Sequence, residues 1–291
     1  MSSAKPLKIA YQGEPGANSH IACLEAAPKH EPMACRVFED AFSAVNSGDC
    51  DLAMIPIENS VAGRVADIHH LMPQSELYIT GEHFQRVHHQ LLAMPGTKLS
   101  DVRSVHSHVH ALGQCRNVIR ELGLTAVVAA DTAGAAKELA ANPDPTRAVI
   151  ASALAAEIYG LETLRANIED EDHNTTRFVI LSANPRDAEP EDAPVVTSFV
   201  FRVRNVPAAL YKALGGFATN GVNITKLESY QIEGQFSASQ FYADIEGHPS
   251  ERNVRLALEE LNFFTSYLRV LGVYKASPYR AELAARALPP T

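Results

Sequence analysis

Two patterns of apolar spacing divide the chain. Up to about residue 181, short apolar runs alternate with Ala- and Leu-rich stretches of helical spacing. The runs at 7–11, 51–57, 102–106, 125–130, 147–150 and 177–181 predict strands, and helices are expected near 19–27, 64–72, 111–122, 132–140 and 151–159. Strand followed by helix, repeated, is the pattern of an α/β domain with a largely parallel sheet. After Val195 the order changes to strand 196–203, helix 207–220, strands 222–231 and 236–246, helix 250–262 and strand 264–275. That is a ferredoxin-like β-α-β-β-α-β unit, with Asn205-Val206-Pro207 offering a cap and an early proline to its first helix. Between the two patterns lies 182–195, whose three prolines and five charged residues suit neither a core strand nor a core helix.

Size and charge narrow the class. At roughly 150 residues per domain, 291 residues favour two domains. With 25 Lys+Arg against 34 Asp+Glu the net charge is −9, which argues against a protein that binds nucleic acid by neutralising phosphates. It leaves room for an anionic small substrate, because local groups can oppose the global field. Residues 1–10 lack the apolar core of a signal peptide, and no run approaches the ~20 apolar residues that span a bilayer. Cys23, Cys35, Cys50 and Cys115 have no metal-type spacing and are expected as reduced thiols of a cytoplasmic protein.

Candidate chemistry gathers where strands end and helices begin. Three such places are the turn Gly13-Glu14-Pro15-Gly16-Ala17-Asn18-Ser19, the cluster Glu58-Asn59-Ser60, and Ser107-His108. Helix N-termini there offer unpaired N–H groups and partial positive charge to carboxylates or phosphates. Each turn alone reads first as an ordinary cap, and only the threefold recurrence favours an anion site. Glu58 follows the apolar run Met54-Ile55-Pro56-Ile57, so a raised pKa would make it an acid or base, while a capping role fits the same position. Ser60 belongs to that cluster. Thr175, Thr176 and Arg177 enter the last strand of the first region with two hydroxyls and a guanidinium, groups able to bind and protonate an anion. His106, His108 and His110 alternate, but a helix beginning near 111 rules out one shared metal-binding face.

Taken in order, Gly13-Glu14-Pro15-Gly16, Pro56-Ile57-Glu58-Asn59-Ser60 with Gly63, Ser107-His108 with Gln114-Cys115, and Thr176-Arg177-Phe178 resemble the prephenate dehydratase family. The C-terminal region is similar to the ACT regulatory domain of such enzymes through 209–214 and Glu228-Ser229. The resemblance implies a catalytic domain over 1–184, two-lobed like type-II periplasmic binding proteins with its site between the lobes, and an ACT domain over 195–278. It implies conversion of prephenate to phenylpyruvate, carbon dioxide and water in phenylalanine synthesis, with no cofactor and no metal. Thr176 is then the proton donor to the leaving hydroxyl, Asn59, Ser107 and Gln114 bind or orient substrate, and Glu58 lies in the same motif. L-Phenylalanine is expected as feedback effector near Leu210, Asn223, Glu228 and Ser229, acting on lobe closure in a homodimer or homotetramer.

Several motifs depart from the family pattern. Gly16 is followed by Ala17-Asn18-Ser19 instead of Thr-Phe-Ser, Val109-His110 stand where Pro-Gln is usual, and Ala208 stands where a glycine is usual. Glu228-Ser229-Tyr230-Gln231 replaces Glu-Ser-Arg-Pro. Glu58-Asn59-Ser60 and Thr176-Arg177-Phe178 are intact, whereas the regulatory motifs are altered. Arogenate dehydratase, the same elimination on the amino analogue, and a catalytically silent binding module remain as alternatives, the latter disfavoured by the intact Thr-Arg-Phe.

Overall fold

A computed structural model describes residues 6–65, 68–192, 194–204, 206–231 and 238–287. Two readings fall outside them: Asn205 as a helix cap, and the start of the strand expected at 236. The chain divides into two compact units, Met1–Val65 with His83–Phe178, and Ala66–Glu82 with Val179–Thr291. No helix among the described residues is long and apolar enough to cross a membrane.

The first unit contains one whole mixed sheet and most of another. In one, the strand order is Glu31–Cys35, Lys8–Gln12, Leu52–Asn59, Thr175–Ser182, Tyr78–Arg86, and the short strand Gly63–Arg64 pairs with Leu52–Asn59. The first three strands run parallel, as the apolar runs and intervening helices Asn18–Ala26 and Phe38–Asn46 require. The other sheet orders Glu162–Arg165, Gln90–Ala93, Arg147–Ala151, Ser104–Ser107, Thr125–Val128. Its last three strands are parallel, while Gln90–Ala93 lies antiparallel to both neighbours. Two clusters of buried side chains, around Val105, Leu112 and Ile150 and around Leu92, Leu139 and Val149, fill the space between this sheet and its helices.

The turn after the first strand is pinned to the second sheet's helices. Gly16 takes a φ of +91°, and a Cβ there would lie 2.7 Å from the Cα of Ala155, so only glycine fits. The Ser152 hydroxyl donates to the Gly16 carbonyl at 2.5 Å, and Tyr159 donates to the Pro15 carbonyl at 3.0 Å.

The helix expected over 111–122 is two helices, Val109–Gln114 and Arg116–Glu121, broken at Cys115. The Asp170 carboxylate causes the break to be stable: it accepts from the backbone N–H of Arg116 at 2.9 Å and of Asn117 at 3.1 Å, capping the second helix. Gln114 thereby becomes the last residue of a helix that starts a new direction. His108 caps that helix, its Nδ1 accepting from the His110 N–H at 3.3 Å, which is an ordinary structural use of the histidine.

In the second unit the four-stranded antiparallel sheet has the order Ile224–Gln231, Ala238–Glu246, Val195–Val203, Thr265–Lys275. Helices Ala209–Thr219 and Arg252–Phe264 cover one face, burying Phe199, Phe201, Phe217, Phe241, Val254 and Leu261. This is the β-α-β-β-α-β order expected. Helix Ile68–Gln74 and residues 75–82 count with this unit, because the Arg269 guanidinium donates to the carbonyls of Ser75 and Leu77, and Arg280 pairs with the fully buried Glu82.

Candidate active site

The strands Leu52–Asn59 and Thr175–Ser182 lie side by side although more than a hundred residues separate them. Asn59 faces Thr176 across this pair. The Asn59 carboxamide oxygen accepts from the backbone N–H of Val61 at 3.0 Å and of Ala62 at 2.7 Å. A backbone N–H can only donate, so the orientation of that amide is fixed without reference to any other side chain. Its NH2 group must face the other way, and there it donates to Thr176 Oγ1 and to Asn174 Oδ1, both at 2.9 Å.

The same logic passes along a relay. Asn174, with its oxygen occupied by Asn59, donates through Nδ2 to Gln114 Oε1 at 2.9 Å. His89 Nε2 lies 2.8 Å from that same oxygen and must therefore carry a hydrogen. At the opposite end Thr176 Oγ1 accepts from Asn59, so its own proton is left to donate elsewhere. Thr176 and Gln114 are half-buried, within reach of a bound molecule, whereas Asn174 and His89 are buried.

The remaining expected residues have other employments. Ser60 and Thr175 lock the strand pair: the Ser60 hydroxyl donates to the His173 carbonyl at 2.8 Å and accepts from the Thr175 N–H at 2.9 Å. Ser107 is fully buried and its hydroxyl donates to the Ile150 carbonyl at 2.7 Å, so it ties two strands together and does not join the relay. Glu58 and Arg177 bind each other, Arg177 Nη1 donating to Glu58 Oε1 at 3.0 Å. Neighbours on a strand point to opposite faces, which puts this ion pair on the other side of the sheet from Asn59 and Thr176. Arg177, expected to meet an anionic substrate, is 3% exposed, stacks against Phe84 and has its charge compensated internally. Glu58 and Arg177 thus hold each other across the strand pair.

Asn174 and His89 carry no motif that marks them in the sequence. Asn174 is the residue before Thr175, and His89 is one of an adjacent histidine pair. Burial, the largest influence, holds the His89 imidazole below its ordinary pKa, with His88 adding to the effect and the Gln114 hydrogen bond and Glu169 opposing it. The backbone of His89 is held at both ends, its N–H donating to Glu169 Oε2 at 2.9 Å and its carbonyl accepting from the Ile168 N–H at 2.9 Å. Burial disfavours the charge on Glu169, but the hydrogen bonds it accepts from His89 and His88 outweigh that and keep its carboxyl below the ordinary range.

The second unit holds a groove of about 590 Å³ lined by Leu210, Glu228, Ser229, Arg204, Tyr211 and Phe241 among others. Asn223, expected there with the first three, instead donates to Glu246 Oε2 at 3.0 Å at the sheet's edge and does not line the groove. Glu228 pairs with Lys226 at 3.2 Å. Ala208, on the groove's rim, has a φ of +61°, a conformation that suits glycine.

Residues 9–186 match the family model described as prephenate dehydratase. Among curated relatives, the bifunctional N-acyl-homoserine lactone acylase/prephenate dehydratase of Komagataeibacter europaeus is 52% identical over 94% of this chain and 97% of its own length. Arogenate dehydratase/prephenate dehydratase 1 of Arabidopsis thaliana is 38% identical over 92% of this chain and 72% of its own. Among solved structures, prephenate dehydratase from Arthrobacter aurescens in complex with L-Phe superposes with a TM-score of 0.86, with 28% identity and 97% of each chain covered.

The buried histidine has a measurable consequence. Folded His89 resists protonation, while the unfolded chain takes up a proton near the ordinary value of 6.5. Below that pH the unfolded state binds more protons, so stability falls as acid is added. His89→Gln should therefore lose less stability than wild type as the pH is lowered from about 7.5 to about 5.5 in urea denaturation. Equal losses in the two proteins would show that His89 titrates alike folded and unfolded.

Proposed function

The chain belongs to the prephenate dehydratase family, and we propose that it converts prephenate to phenylpyruvate, carbon dioxide and water in phenylalanine synthesis, with Thr176 as proton donor. The observation that carries this reading is the Asn59–Thr176 hydrogen bond, whose enforced direction leaves the Thr176 proton to be donated. In the reaction the ring carboxylate leaves as carbon dioxide, and its bonding electrons enter the ring. The ring C–O bond breaks with its electron pair, and the departing hydroxide takes the Thr176 proton to leave as water. Solvent then restores that proton. Threonine is a weak acid, and the Asn59 N–H stabilises the negative charge that develops on Oγ1 as the proton moves. Aromatisation drives the elimination, so help for the leaving hydroxyl is the main demand on the protein.

Gln114 is assigned to substrate and Asn59 to orienting the Thr176 hydroxyl toward it, with Ser60, Ser107, Thr175 and the Glu58–Arg177 pair as supports of the strands that carry them. Residues 1–184 are taken as the catalytic domain and 195–278 as an ACT domain that binds L-phenylalanine as a feedback inhibitor. A cytoplasmic homodimer or homotetramer that needs no cofactor completes the reading. The groove in the second unit suits such an effector, since Arg204 and Glu228 offer one charge of each sign to an amino acid's backbone and Leu210 and Phe241 offer apolar surface to its ring.

Arogenate differs from prephenate only in carrying an amino group in place of the keto oxygen, far from the atoms that break, and relatives bearing either name resemble this chain. A second reading, hydrolysis of N-acyl-homoserine lactones, is favoured by the identity to the bifunctional relative. Against it stands the state of the nucleophiles in the first unit. The Ser107 hydroxyl is committed to a carbonyl, and burial pushes the Cys23 thiol up to about 12 and the Cys50 thiol up to about 11. A thiol so raised is protonated at neutral pH and poorly nucleophilic.

Thr176→Ala should lower kcat by about 10²- to 10⁴-fold, the range for one general acid, with the fold intact by circular dichroism. Turnover within a few-fold of wild type would remove Thr176 as the donor. Assays on prephenate and arogenate side by side decide the substrate, and prephenate is expected to give the higher kcat/KM. Calorimetry is expected to show L-phenylalanine binding, weakened by Glu228→Ala. No heat at millimolar ligand would end the effector assignment.

A further inference from the structure

A carboxamide is nearly symmetric in shape and opposite in chemistry at its two ends, so whether Gln114 offers an oxygen or an NH2 group to a neighbouring molecule is decided by what holds it. Its oxygen receives two donors, Asn174 Nδ2 and His89 Nε2, which fill both lone pairs. Its NH2 group is consequently directed away from the relay, and no described residue accepts from it. We propose that His89, together with Asn174, is a positioning residue that clamps the Gln114 carboxamide so that it presents N–H donors to an anionic substrate. The inference rests on the reading of the Asn59–Thr176–Gln114 cluster as the substrate site.

Three features make His89 suited to the task. Its ring is 3% exposed, so water does not compete for the Nε2 hydrogen bond. Its backbone is anchored by Glu169 and Ile168, which fixes where the ring starts. Its Nε2–H is required by a chain of donors and acceptors that begins at two backbone N–H groups and contains no free choice. Asn174 also contacts Asn59, so a change there would disturb the proton donor as well. His89 touches the relay only at Gln114 and is the cleaner place to test the clamp.

The demand for such a clamp follows from charge. A dianionic substrate is attracted by N–H and repelled by a carbonyl oxygen, and Arg177 is engaged with Glu58 on the other face of the sheet. A Gln114 amide free to turn would spend part of its time offering the wrong end.

His89→Leu keeps most of the bulk and removes the donor. It should raise KM for prephenate about tenfold or more, the loss expected for a hydrogen bond to a charged group, with kcat within a few-fold of wild type. His89→Gln places an amide NH2 near the position of Nε2 and should recover KM to within about threefold of wild type. In the double variant with Gln114→Ala the His89→Leu change should add nothing to the KM of Gln114→Ala alone, because the clamp has nothing left to hold. Independent losses that multiply in the double variant would overturn the inference, as would an unchanged KM in folded His89→Leu or a failure of His89→Gln to recover what His89→Leu loses. Those results leave the dehydratase reading standing, since it is judged by turnover of the wild type and by kcat of Thr176→Ala. A wild type inert toward prephenate and arogenate would overturn both.

Discussion

The first unit's chemistry depends on one pair of hydrogen bonds, from the backbone N–H groups of Val61 and Ala62 to the carboxamide oxygen of Asn59. Each donor is part of the main chain and cannot reverse, so Asn59 has no freedom to exchange oxygen for nitrogen. Every later polarity in the cluster is inherited from that constraint: acceptor at Asn174 Oδ1, donor at its Nδ2, acceptor at Gln114 Oε1, donor at His89 Nε2. An unconstrained row of amides and a histidine would have several arrangements of similar energy. Here one remains, and it leaves Thr176 as a hydroxyl that accepts from one side and can donate from the other. A partly satisfied polar row is costly to bury, whereas a fully paired one holds a single geometry.

Alternation along two strands sorts the charged residues from the neutral ones. Glu58 and Asn59 are neighbours, as are Thr176 and Arg177, and antiparallel pairing brings each to its counterpart on its own face. The ion pair and the amide–hydroxyl pair are thus separated by the thickness of the sheet. Arg177 is buried and Glu58 is 35% exposed, so removing Glu58 takes a carboxylate from a buried guanidinium, which is destabilising. The pair therefore fixes the register that sets Asn59 opposite Thr176. The neutral face thus carries oriented amide dipoles in place of a cation.

How much of this was legible in the sequence varied with the physical basis of each element. The C-terminal β-α-β-β-α-β unit was read in order from its apolar runs and the polar turns between them, although its strand Val195–Val203 is buried on both faces and does not alternate. Strand Glu31–Cys35 was missed because Pro32 and a charged start argue against a strand, and both are tolerated at the edge it occupies. Tyr78–Arg86 and Glu162–Arg165 are also edge strands, with polar or charged residues where a central strand would be apolar. The break at Cys115 depends on Asp170, which is distant in sequence and leaves no local mark. Motif resemblance drew attention to Asn59, Gln114 and Thr176, yet it also suggested Ser107, which ties strands together, and Arg177, which serves the ion pair. Nothing local identifies Asn174 or His89, since their roles come from contacts across 115, 60 and 25 residues of chain.

The second unit shows the same interplay of motif and geometry at a site with less constraint. The chain enters helix Ala209–Thr219 through Ala208 at a positive φ, where the related motif has glycine. An L-residue other than glycine pays roughly 1 kcal/mol in that region, so the surrounding packing of Ala209, Ala213 and Phe217 must hold the turn against its own preference. Tyr211, one turn further, is 80% exposed on the groove. A large aromatic side chain with that much surface in water has apolar area still to bury, unlike the phenylalanines behind it. The substitution at 208 thus changes the strain of the groove's rim without changing its outline, since Leu210, Glu228 and Ser229 still line it. A motif altered at a backbone-determining position can keep its contacts and still differ in how readily the loop that carries them adjusts.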